Sequence, residues 1–125
     1  MSAWTKEELT KIGNAEELDI ASLREDGTLR KPVIIWVVRL GDELYVRSVK
    51  GRESAWFHGA QTKHAGRIRA GGVDKHVNFV EEPDLALGEQ LDAAYKAKYR
   101  RYPSSLEHIN SAEARKAAIR LVPQP

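Results

Sequence analysis

The chain of 125 residues contains no cysteine. A disulfide framework, a thiolate zinc site, an iron–sulfur cluster and a thiol nucleophile are thereby excluded. The longest unbroken apolar run, Val33 to Val38, has six residues, far short of the roughly 20 that cross a bilayer as a helix. No charge sign dominates: 20 Lys and Arg face 18 Asp and Glu, a net +2. That is too little for a basic nucleic-acid arm or an acidic solvating tail. Neither a membrane nor a nucleic acid is the expected partner. The stretch from Met1 to Asp19 is polar and acidic and lacks the apolar centre of a secretory leader, so a cytoplasmic setting is expected.

What is present suits one domain over residues 1–125. Hydrophobic residues make up 42% and charged residues 30%, ordinary globular proportions. No linker, repeat or low-complexity stretch divides the chain. Charge is zoned, however. Residues 1–23 hold two cations and five anions, residues 24–75 eleven and six, and residues 76–125 seven of each. The zoning implies one positive face, of a size that suits a phosphate- or carboxylate-bearing ligand better than a DNA backbone.

The hydroxyl-to-carboxylate spacing of Thr5 and Glu8 is that of a capping box, so a short helix is expected over 6–11, closed by Gly13. A strand is expected from Leu18 to Leu23, with a turn at Asp26-Gly27. The clearest strand runs from Pro32 to Leu40 and pairs across Gly41-Asp42 with a second over 44–49. Ser54 is placed to cap a single helical turn through Trp56 and His58. Residues 66–70 and 73–80 flank Gly71-Gly72 as a second hairpin. Beyond Asp84, read as an N-cap, Leu87, Leu91, Ala94, Tyr95, Lys98 and Tyr102 fall on one helical face that Pro103 ends. A helical turn over 104–109 and a closing strand over 117–122 complete the chain. The expected fold is α+β: a six-stranded, mostly antiparallel sheet closed into a split barrel, with a long helix before the last strand.

The densest chemistry lies between the hairpins. Arg47, Ser48, Lys50, Gly51 and Arg52 combine two guanidinium groups, an ammonium, a hydroxyl and a glycine that lets a ligand approach the backbone. Those are the groups that hold a phosphate or carboxylate. The plain alternative is a turn with solvated cations. Trp36, Trp56 and His58 flank the same stretch and are candidates to lie beside a flat ring, against the default of core packing for the tryptophans. The four histidines show no metal-ligand spacing, and no metal is expected. Paired glutamates such as Glu81-Glu82 are sequence neighbours that point apart, so they read as solvated charges. No residue stands out as catalytic.

The order Gly27-Thr28-Leu29-Arg30-Lys31-Pro32, the apolar strand to Val38, Gly41-Asp42-Glu43-Leu44-Tyr45-Val46, Ser48-Val49-Lys50-Gly51 and Ala55-Trp56-Phe57-His58 resembles the deazaflavin-dependent nitroreductases. These belong to the flavin-binding split-barrel superfamily, which also holds the pyridoxamine phosphate oxidase-like proteins. Together with Asp92-Ala93-Ala94-Tyr95-Lys96-Ala97-Lys98-Tyr99 and Ile119-Arg120-Leu121-Val122-Pro123, the whole chain resembles the bacterial domain of unknown function 2255 family. The resemblance implies a split barrel that often forms homodimers and lays FMN or a deazaflavin in a groove. Ser48, Lys50 and Gly51 match the phosphate-holding positions, while Trp56 and His58 match ring-side contacts. Arg47 and Arg52 join the cofactor set on their charge and nearness, and Trp36 as a ring flank. Three departures stand out: a partly acidic Leu23-Arg24-Glu25-Asp26 replaces the glycine-and-cation lead-in, the loop between Lys50 and Trp56 is short, and Gly59-Ala60 replaces the Asn-Leu that often follows the histidine.

Three readings follow. The first is an oxidoreductase that passes hydride from a flavin or deazaflavin to a small molecule. The second is a ligand-binding or sensing domain that kept the barrel without the cofactor. The third is a nucleic-acid or partner-binding module using residues 47–69, which the near-neutral total charge disfavours.

Overall fold

A single bent strand closes the sheet. The computed structural model describes residues 3–49, 54–82 and 85–124. The strand expected over Pro32 to Leu40 is broken at Trp36 into β2 (Val33–Ile35) and β3 (Val37–Leu40). β2 pairs with β1 (Leu18–Ser22), and β3 pairs with β4 (Glu43–Arg47). With β5 (Ala65–Ala70), β6 (Val73–Glu81) and β7 (Ala118–Pro123), the order is β2-β1-β5-β6-β7-β4-β3, every neighbour antiparallel. The two ends of that order are halves of one strand, so the sheet curls into a nearly closed barrel. Seven segments therefore stand where six strands were expected, and the α+β split-barrel class holds.

The break has a tertiary cause. The Val37 N–H donates to the Tyr99 hydroxyl at 3.2 Å, and its carbonyl accepts from Lys98 Nζ at 2.6 Å. The Tyr99 hydroxyl in turn donates to the Glu16 carbonyl at 2.7 Å. Side chains from a distant helix thus occupy backbone groups at the corner, where a run of β-branched residues would otherwise continue. The tighter hairpin is local in origin. Gly71 and Gly72 both take positive φ, 58° and 86°, as a two-residue turn that follows strand twist requires.

Alternation along the strands divides the apolar residues between two cores. Leu44 and Val46 face the barrel interior with Leu18, Ile20, Ile68 and Phe79. Helix α1 (Lys6–Asn14) joins this core through Leu9 and Ile12, and α2 (Ala55–Lys63) through Trp56 and Phe57. Helix α1 begins with the expected capping box: Thr5 accepts from the Glu8 N–H at 3.1 Å and Glu8 accepts from the Thr5 N–H at 2.9 Å. Helix α2 runs for nine residues, beyond the expected single turn, and buries Trp56, Phe57, Gly59 and Ala60 against the barrel.

The opposite faces of β3, β4 and β7 are also covered. Val38, Tyr45 and Ala118 pack against Leu91, Tyr95 and Tyr99 of α3 (Leu85–Lys98) and the turn that follows it. Burial of aliphatic side chains such as Val38 and Leu91 contributes roughly 1.5–3 kcal/mol each. The helical face is completed by Tyr99 and not, as expected, by Tyr102, which is exposed because the helix ends at Lys98. Asp84, expected as its N-cap, lies outside the described residues. Pro103 opens α4 (Pro103–Ile109), since a proline at the first helical position gives up no hydrogen bond there. A short α5 (Ala112–Arg115), not anticipated, leads into β7.

Candidate functional site

The end of β4 and the start of α2 meet beside β2, and a groove of about 410 Å³ runs between them. Ser48 and Ser54 stand in its wall with their hydroxyls 2.7 Å apart. Ser54 occupies the N-cap of α2 as expected, yet its side chain makes no cap bond. The hydroxyl is turned toward Ser48 instead. Trp56 is 8% exposed and also lines the groove, its ring edge-on to Phe57 at 5.9 Å. The remaining wall is an apolar strip. Val33, Ile34 and Val49 are 41%, 63% and 52% exposed. Only Tyr102 joins them as an exposed large apolar side chain among the described residues.

The expected cationic rim is only partly described. Lys50, Gly51 and Arg52 lie outside the described residues. Arg47 is described, and it is not a rim residue: it is fully buried. Its Nη1 donates to Asp92 Oδ1 at 2.6 Å and to Asn110 Oδ1 at 3.0 Å, and its Nη2 to the Gly88 carbonyl at 2.9 Å. The guanidinium also lies 5.5 Å from the Tyr95 ring centre. The reason is alternation. Arg47 shares the Tyr45 side of β4, and α3 covers that side. Burial pushes the Tyr95 phenol well above its usual range, with the Arg47 charge opposing.

Trp36 is separate from Trp56. Its ring stacks on Tyr99 at 3.9 Å and 3°, with Tyr102 tilted at 5.8 Å. It lines a second hollow of about 220 Å³ that shares Ile34, Ile35 and Val49 with the first. His58 is exposed on α2 and is absent from both linings. The structure thus brings Ser48 and Trp56 into one groove, sets Trp36 and Arg47 around its neighbour, and leaves His58 outside both. Sequence reasoning missed Ser54 as a site hydroxyl, because a serine before a helix reads first as a cap. It also missed the exposed strip, since a β-branched run reads as buried. Among the described residues, no three His, Asp or Glu side chains converge as metal ligands.

Residues 8–121 match the model of a family described as an uncharacterized protein conserved in bacteria, DUF2255. The chain belongs to the DUF2255 family. No curated protein matches the chain in sequence. Solved structures similar to this DUF2255 member include HutZ, the heme storage protein of Vibrio cholerae, at 12% identity and a TM-score of 0.68. That match covers 96% of this chain and 90% of that one. A FAD-binding protein of Mesorhizobium loti is 17% identical with a TM-score of 0.62, covering 98% and 92%. An F420 reductase is 14% identical with a TM-score of 0.57, covering 94% and 93%. At these identities the likeness is one of fold, the split barrel.

Proposed function

We propose that the Ser48–Ser54–Trp56 groove holds a flavin or deazaflavin and that the domain is an oxidoreductase acting on a small molecule. One observation carries this reading: a hydroxyl pair stands against an apolar strip left open to solvent. Large apolar side chains gathered at one surface mark a binding site. A volume of about 410 Å³ falls in the usual range for small-molecule sites. The residues present suit such a group. One hydroxyl of the Ser48–Ser54 pair donates to the other, and the second can donate to a phosphate or ring oxygen. Trp56 offers an aromatic wall, and Val33, Ile34 and Val49 exclude water from one face. Lys50 and Arg52 follow Ser48 in sequence and supply the charge that a phosphate needs. Arg47 is left out of this set, because it is absent from the groove lining and both its terminal nitrogens are engaged inside. When bound, such a cofactor supplies hydride transfer, while the protein contributes position and electrostatics. The similar proteins named for FAD and F420 support the class, and HutZ adds heme as an arm of the test.

The test is a titration of purified protein with FMN, FAD, F420 and hemin, followed by absorbance. Binding of a flavin or deazaflavin is expected, with bleaching of its visible band on reduction. Lys50→Ala is expected to weaken that binding more at low salt than at high salt, since screening shortens the reach of its charge. Absence of binding by every flavin and deazaflavin removes the proposal, and binding of hemin alone replaces it. We also propose that a second copy closes over the exposed strip as a homodimer. Sedimentation should then show a dimer that Ile34→Lys dissociates.

A further inference from the structure

The hollow beside Trp36 differs chemically from the groove it adjoins. Trp36, Val49 and Ile109 form apolar walls, while Arg47 and Ser105 are its polar residues. Arg47 is buried, yet its Nε is left without a hydrogen-bond partner. Every other bond of this guanidinium is directed into the fold. A buried N–H is costly to leave unpaired, so an acceptor that reached it would be favoured.

The charge balance has the same sense. Arg47 and Arg115 both bond Asp92, which leaves two guanidiniums against one carboxylate. Trp36 is stacked on Tyr99 and only half-buried, so part of the indole is open to the hollow. The open volume, about 220 Å³, suits a molecule the size of one substituted ring, too small for the cofactor itself.

We propose that this hollow is a subsite for a small planar carboxylate, its ring against Trp36 and its oxygens toward the Arg47 Nε–H and the Ser105 hydroxyl. The carboxylate is the chemical class of the small molecule left open above, and in that role the inference rests on the cofactor reading. Its binding does not. The sharing of Ile34, Ile35 and Val49 by the two cavities sets such a molecule beside the groove.

The probe is sodium benzoate, titrated into the protein without cofactor and followed by NMR at the Trp36 indole N–H, assigned through Trp36→Phe. Benzoate is expected to shift that resonance saturably, and toluene to bind about tenfold more weakly, as loss of one charged hydrogen bond implies. Ser105→Trp, at an exposed position, is expected to plug the hollow and abolish the shift. Arg47→Lys keeps the charge but removes Nε, and is expected to weaken benzoate in a protein shown by its melting curve to be folded. A shift that survives Ser105→Trp, toluene binding equal to benzoate, or no shift at all overturns the subsite. FMN titration of the wild-type protein is read in parallel. FMN binding without benzoate binding removes this inference alone, and benzoate binding without FMN binding removes the cofactor reading alone.

Discussion

Arg47 shows how one residue can carry opposite meanings in sequence and in space. Beside Ser48, Lys50 and Arg52 it reads as part of a cationic rim. In the fold it ties β4 to α3 and to the end of α4 through Asp92, Gly88 and Asn110. Nothing within six residues of it signals this, because Asp92 and Asn110 lie 45 and 63 positions away. Alternation places it on the Tyr45 side of β4, but whether that side meets solvent depends on where a helix forty residues on comes to rest. Arg47→Ala is expected to destabilise the protein by about 3–5 kcal/mol, the usual cost of removing one partner of a buried pair. Urea melts measure this, and a loss under about 1 kcal/mol would return Arg47 to the class of weak surface pairs.

At the scale of elements, the turns and the capping box were legible because each is written in four or fewer adjacent residues. The corner at Trp36 was not, because it is made by Tyr99 and Lys98 acting on the Val37 backbone. Lys98 carries a measurable trace of that arrangement. Burial lowers its amine to about 8, with the Glu16 carboxylate opposing. The unfolded chain titrates near 10.5 and so binds more protons between these values. The burden of holding Lys98 charged is complete below about 8 and is relieved as pH rises toward 10.5. Its contribution therefore makes stability rise with pH over that interval. The buried Tyr95 and Tyr99 phenols, both pushed up, act in the other direction only once unfolded tyrosine ionises near 10. Melts of wild-type and Lys98→Met between pH 7.5 and 9.5 isolate the effect. The mutant should lack the rise, and identical slopes in the two proteins would contradict it.

At the scale of the molecule, the two hairpins and closure into a barrel were legible from periodicity and turns, whereas the strand order and the manner of closure were not. Closure depends on β2, the shortest segment, held to β1 by three residue pairs, while β5 and β6 share six. β2 also carries the exposed Val33 and Ile34, so little packing reinforces its hydrogen bonds. Amide hydrogens in β2 are expected to exchange with deuterium faster than those in β5, β6 or β7, because opening this end exposes the least apolar surface. Equal protection along all strands would contradict that ordering.

Since β2 is at once the least anchored stave of the barrel and a wall of both cavities, a guest lodged against it would splint the seam. Occupancy and folding would then be linked, so that the melting temperature reports what the protein carries. A thermal-shift screen across candidate small molecules could find the natural ligand before any reaction is known.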